Sequence, residues 1–193
     1  MVRPQEFNTA DVLHRALSVF WSKGYEAASL VDLVEATGLS RSSLYGSFGG
    51  KHALFLAAFD SYRADRARAM DLTLDNGLGR AAIETFFRSI IEDSRAPHFS
   101  NGCMSTNQAV ELAPHDPAVR QRIEFDFQLI EDALERTIAR GKVDGSIATV
   151  ASARTLARLF VVAFPGFQVL VRAGGSEDRL SAALKQLLAT LDL

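Results

Sequence analysis

Apolar residues recur along this chain at spacings of three and four, the period of helices that bury one face, and alternating stretches that would signal strands are almost absent. The first block, about Thr9–Lys23, sets Val12, Leu13, Ala16, Leu17 and Phe20 on one side, and Gly24 closes it. Ser29 opens a short block with Leu30, Leu33 and Val34 that stops at Gly38; Ser40 opens a third, ended by Gly49-Gly50. A long helix from Lys51 carries Leu54, Phe55, Ala58, Phe59 and Tyr62 towards Met70. Asn76-Gly77 and Gly79 break the chain before a helix over roughly 80–92. Residues 94–102, with Pro97, read as a loop, and a short helix over about 104–112 stops at Pro114.

Asp116-Pro117 is an N-cap followed by proline at the first helical position. The helix it opens carries Val119, Ile123, Phe127, Ile130, Leu134 and Ile138 as one stripe, and Gly141 and Asp144-Gly145 end it. Phe125 and Leu129 fall off that stripe, so a second apolar face needs cover. Residues 148–173 are apolar nearly all round, which predicts burial from more than one side, with a helix break at Pro165-Gly166. Ser176 caps a last amphipathic helix with Leu180, Leu184, Leu187, Leu188 and Leu191 inward. The expectation is an all-α chain of about nine helices.

Residues 29–51, SLVDLVEATGLSRSSLYGSFGGK, carry the most chemistry. Ser29 is placed to cap one helix with Asp32 in its first turn, near the positive end of the helix dipole. Gly38 supplies the positive φ that a helix end commonly needs. In the next helix Leu44 and Phe48 turn inward, while Arg41, Ser42, Ser43 and Tyr45 cannot all do so. Short hydroxyls and a leading cation make a poor core helix, yet they suit a major groove entered by a helix N-terminus. The layout is a helix-turn-helix.

The string Ser29, Asp32-Leu33, Ala36-Thr37-Gly38-Leu39-Ser40, Leu44-Tyr45-Gly46-Ser47-Phe48 and Lys51-His52-Ala53-Leu54 resembles the N-terminal domain of TetR-family transcriptional regulators. The resemblance covers about the first 60 residues well. Beyond them it rests on helical organisation and on the Asn101-Gly102-Cys103 and Ala113–Pro117 segments, similar to one subgroup of the family. It implies a three-helix DNA-binding domain over 1–51 and a helical domain over 52–193 that binds an effector and dimerises. It also implies that Tyr45, Lys51 and Ser29 contact phosphates. Arg41 is the candidate for guanine readout, offering two donors to O6 and N7. The full set of expected DNA-contacting residues is Ser29, Ser40, Arg41, Ser42, Ser43, Tyr45, Ser47 and Lys51. Gly46 stands where a bulkier residue is often found, which weakens any apolar contact to a thymine methyl.

Charge tempers this picture. The chain of 193 residues has a formal net charge of −2, and residues 1–51 set Arg3, Arg15, Lys23, Arg41 and Lys51 against Glu6, Asp11, Glu26, Asp32 and Glu35. DNA affinity cannot come from a bulk basic patch, so it must come from local placement of cations, hydroxyls and helix N-termini at phosphates. This neutrality supports an alternative from another class: a helical small-molecule-binding or scaffold protein whose helix-turn-helix no longer binds DNA.

The remaining chemistry narrows the function. No Ser/His/Asp or Cys/His arrangement follows from spacing, and no glycine loop cradles a phosphate, so no catalytic residue and no cofactor is nominated. The single cysteine, Cys103, matches no compact zinc motif with His98 and His115, and it cannot form an internal disulfide. Hydrophobic content of 48% suits a folded protein with a full core, and the N-terminus lacks a signal-peptide apolar region. No apolar run is expected to span a bilayer; residues 158–171 come nearest. The chain is therefore placed in the cytoplasm. Aromatic bulk in the C-terminal helices, together with the family resemblance, nominates Phe86, Ile90, Cys103, Met104, Asn107, Phe125 and Phe164 as the lining of a largely apolar effector pocket. The last two helices are expected to pair across a two-fold axis as a four-helix bundle, giving a homodimer that reads palindromic double-stranded DNA.

Overall fold

The computed structural model describes residues 7–93 and 101–192. Among them are nine helices and no strand: α1 (Thr9–Lys23), α2 (Leu30–Thr37), α3 (Arg41–Phe48), α4 (Lys51–Leu74), α5 (Gly79–Asp93), α6 (Met104–Glu111), α7 (Pro117–Val143), α8 (Ala153–Arg172) and α9 (Glu177–Ala189). The loop expected over 94–102 lies outside the described residues, except for Asn101 and Gly102. The chain divides into two compact units between Asp65 and Arg66, within the span of α4.

The first unit is built on aromatic packing. Phe20 of α1 and Phe55 of α4 are fully buried, and their rings meet edge-on at 5.2 Å. Tyr25 meets Phe55 at 5.0 Å, and Trp21 meets Tyr62 at 5.1 Å. These contacts tie the first half of α4 to α1, which is why the unit extends to Asp65. Each fully buried Phe contributes about 1.5–3 kcal/mol of transfer free energy.

In the second unit the core joins α5, α7, α8 and α9. Phe87 of α5 meets Phe160 and Phe167 of α8 edge-on at 5.5 and 5.4 Å, and Phe86 stacks on Phe164 at 5.8 Å. Asp116 accepts from the Ala118 and Val119 amides, with Pro117 at the first helical turn, so α7 starts where its sequence directs. α7 continues through Gly141, which the sequence marked as an end. The reason is a close crossing: a Cβ on Gly79 would lie 2.5 Å from the Gly141 Cα. Arg80 closes the C-terminal end against α5, its Nε 2.9 Å and its Nη2 3.0 Å from the Asp192 carboxylate.

Two expectations for α8 need correction. The helix runs unbroken through Pro165, where a break was expected. Proline removes one backbone donor, but Phe160, Phe164 and Phe167 fix the helix to the core on either side of it. By length and composition alone α8 is also apolar enough to cross a membrane, with mean hydropathy 1.4 over 18 residues. Its burial is one-sided. Leu156, Ala157, Phe160, Phe164, Phe167 and Val171 face the core, while Leu159, Val162, Val169 and Leu170 are exposed.

Candidate nucleic-acid interface

Local hydrogen bonding explains how α2 and α3 are held. Ser29 Oγ accepts from the Asp32 amide at 3.1 Å, and the Asp32 carboxylate accepts from the Ser29 amide at 2.9 Å. This reciprocal box satisfies two amides that a helix start leaves open. Lys23, at the end of α1, donates to Asp32 Oδ1 at 2.7 Å and ties the two helices together. The Lys23 ammonium first, and then the Ser29 donors, hold the Asp32 carboxyl at about 2. Gly38 takes φ 72°, a left-handed conformation, and its amide closes α2 onto the Val34 carbonyl at 2.9 Å.

Ser40 caps α3, accepting from the Ser43 amide at 3.1 Å. Its hydroxyl also lies 2.9 Å from Ser42 Oγ and donates to Ser43 Oγ at 2.9 Å. Leu44 is the one residue that α3 buries. Arg41, Ser42 and Tyr45 are exposed, Ser43 and Ser47 are half-buried, and Leu39 and Phe48 are half-buried rather than deeply inward. Phe48 touches the Phe7 ring at 6.4 Å. The result is an eight-residue helix anchored by one leucine, with a cation, hydroxyls and a phenol at its surface.

Lys51 sits differently from a free phosphate ligand. Its Nζ lies 4.4 Å from the Tyr25 ring centroid and donates to the Glu26 carbonyl at 3.3 Å. Cation–π attraction and the carbonyl bond hold the ammonium in one place at the start of α4. Sequence reasoning missed Tyr25 and Glu26. Neither has a spacing that signals it, because Glu26 meets Lys51 across 25 residues and Tyr25 lies one position further back.

The structure brings together part of the expected pocket lining. Phe86, Ile90 and Phe164 are buried in the C-terminal core, and half-buried Cys103 packs against it. Met104 is fully buried, and Asn107 donates to the Asn101 carbonyl at 2.9 Å. Phe125 is not part of this set. It is 57% exposed, because it projects from α7 on the side away from Ile123 and Leu134. Cys103 occupies the N-cap position of α6 without a side-chain cap bond. Among the described residues no cluster of His, Cys, Asp and Glu could hold a metal ion.

Residues 12–58 match the model of bacterial regulatory proteins of the tetR family, and residues 79–187 match the tetracyclin repressor-like C-terminal domain. The chain is 34% identical to the HTH-type transcriptional regulator YezE of Bacillus subtilis over 194 residues, all of both chains. It is 29% identical to the HTH-type transcriptional repressor ComR of Escherichia coli over 181 residues, covering 92% of this chain and 86% of ComR. The solved structure of a TetR-family regulator, CifR, superposes with a TM-score of 0.85 at 29% identity over 97% of this chain and 98% of its own. That CifR is a cysteine mutant complexed with 26-base-pair double-strand operator DNA. The chain belongs to the TetR family and is a DNA-binding transcriptional regulator; proteins of this family are regulators and not enzymes.

Proposed function

We propose that this regulator is a homodimeric repressor that binds a palindromic operator in double-stranded DNA and responds to a small molecule held in its C-terminal domain. The observation that carries the reading is α3: a helix that fully buries only Leu44 and exposes Arg41, Ser42 and Tyr45 behind a serine cap. A surface so rich in donors has no use in a core and fits a groove. In this reading residues 1–51 form the DNA-binding domain and residues 52–193 the effector-binding and dimerisation domain. Arg41 reads a guanine. Ser29, Ser40, Ser42, Ser43, Tyr45, Ser47 and Lys51 position the helix on the backbone and the neighbouring bases. Repression is carried over from ComR, and operator binding from CifR. The protein acts in the cytoplasm, where a bacterial operator lies.

Pairing runs through α8 and α9. Leu159, Val162, Val169 and Leu170 form an exposed stripe on α8 at helical spacing, with Gly166 among them. Two such stripes meeting across a two-fold axis bury what one chain leaves exposed. The effector, largely apolar, lies near Phe86, Ile90, Cys103, Met104, Asn107 and Phe164. It shifts operator affinity only by its differential affinity for two conformations, one of which sets the α3 helices about 34–36 Å apart. The test is a titration of a bound duplex across salt concentration, repeated with Arg41→Ala. A steep fall of affinity with salt and its loss in the variant support the reading. Salt-independent binding, or binding that ignores Arg41, removes it.

A further inference from the structure

Among the described residues, three buried side-chain atoms have no hydrogen-bond partner: Thr106 Oγ1, Gln108 Oε1 and Arg140 Nε. The Arg140 guanidinium is still held, since its Nη2 donates to the Leu74 carbonyl at 2.6 Å. The other two atoms lie on the eight-residue helix α6, two residues apart. Folded proteins rarely leave buried acceptors unpaired, so two on one short helix call for a physical cause. Gln108 is the sharper case, at 1% exposure. Its Nε2 donates to Glu111 Oε2 at 2.9 Å, and a carboxylate can only accept. That bond fixes the amide orientation and leaves Oε1 as an open acceptor.

Around α6, buried apolar side chains lie beside buried polar ones. The helix packs against α7 and α8. Met104 is fully buried one turn before Gln108, and on α8 the buried Gln168 lies one turn beyond Phe164. Asp126 of α7 accepts from Ser105 Oγ at 2.8 Å. Gln108 Oε1 takes a hydrogen bond and cannot give one, whereas Thr106 and Gln168 can do both.

The geometry points to Gln108 as the polar anchor of a ligand site in the C-terminal domain. Its open amide oxygen accepts from a neutral hydroxyl or N–H group on an otherwise apolar molecule. This rests on the reading that the domain binds a small effector, and it names the class: phenols, alcohols and amines or amides with a free N–H. Carboxylates are disfavoured, because Oε1 carries partial negative charge and the Glu111 carboxylate stands beside the amide.

The experiment uses the full-length protein and a panel of phenols and anilines, from single-ring to fused-ring bodies. Each is paired with its O-methyl or N,N-dimethyl counterpart, and binding is read by calorimetry. The donor member of a pair should bind about three- to tenfold more tightly than its methylated partner, the range of one net hydrogen bond. Gln108→Met should remove that preference and leave binding of the methylated partner unchanged. Where the variant fails to fold, the Gln108 side-chain amide resonance of the native protein replaces it, and it should shift with the donor and not with its partner. Equal affinity within pairs, a preference that survives Gln108→Met, no binding by any member, or an ordered water as the sole occupant beside Oε1 each overturn the proposal. Operator affinity followed in the same samples separates the two readings. Binding without donor preference defeats the anchor alone, whereas donor-selective binding that leaves operator affinity unchanged defeats the effector reading alone.

Discussion

On the proposed reading, replacing Arg41 with alanine should separate DNA recognition from folding. Arg41 is the first residue of α3 and is exposed, and α3 is held instead by the Ser40 cap and by Leu44. Alanine is a good helix former, and a cation at a helix N-terminus opposes the dipole, so the variant should lie within about 0.5 kcal/mol of the native stability. The effect on DNA is of another size. A bidentate arginine–guanine contact contributes about 1–3 kcal/mol of discrimination, and a two-fold dimer loses it once per half-site. This corresponds to about five- to 150-fold per half-site. The assay is a fluorescence titration of a palindromic duplex, alongside urea unfolding of both proteins. Affinity should fall while the unfolding midpoint stays, and selectivity at one base of each half-site should relax. Unchanged affinity would refute the assignment of Arg41. A parallel loss of stability would refute the claim that the residue is free of structural work.

Other perturbations test the supporting structure. Ser29→Ala removes one member of the capping box and should lower stability by about 1 kcal/mol in urea titration. Asp32 is held at about 2 against an ordinary 3.8, so its contribution is full above pH 3.8 and is lost as pH falls through 2. Asp32→Asn should therefore lower the melting temperature at neutral pH, and the gap to the native protein should close between these two values. Gly79→Ala brings a Cβ within 2.6 Å of Gly141 N and of the Thr137 carbonyl, all backbone, and should destabilise by about 3 kcal/mol. Gly141→Ala meets mainly the Ile147 side-chain tip and gains helix propensity, so it should cost less in the same unfolding series. Val162→Glu places a charge in the exposed α8 stripe and should yield a monomer in sedimentation, with the helical content retained.

Local chemistry carried most of what the sequence showed of this fold. Caps at Ser29, Ser40 and Asp116, and positive-φ glycines at Gly38 and Gly49, depend on residues within a few positions of one another. A reading of periodicity and turn residues captures such features. What escaped it depends on distant partners. Gly141 looks like a helix end until Gly79 is seen against it, and α4 runs to Leu74 rather than Met70. There the Leu74 carbonyl receives Thr137 Oγ1 and Arg140 Nη2 from α7. Pro165 signals a break on sequence grounds, yet packing on both sides of it preserves the helix.

The exposed polar face of α3 was legible because Arg41, Ser42 and Tyr45 are polar groups crowded onto one short segment with a single deeply apolar position. The ligand region was less so. Phe86 and Phe164 meet in a stack, but Phe125, chosen for the same aromatic bulk, turns outward from α7. Bulk alone does not tell which face of a two-faced helix is covered. Gln108 gave no signal at all, since its interest lies in a missing partner that only three-dimensional packing exposes.

Selection of bound sequences from a random duplex library, with the purified protein at near-physiological salt, tests the central claim most directly. A dimeric operator reader should enrich a palindrome whose half-sites are centred about one helical turn apart, 10–10.5 base pairs or a multiple of it. Recovery of no common sequence by folded, dimeric protein, both alone and with the donor-bearing ligands described above, would contradict it.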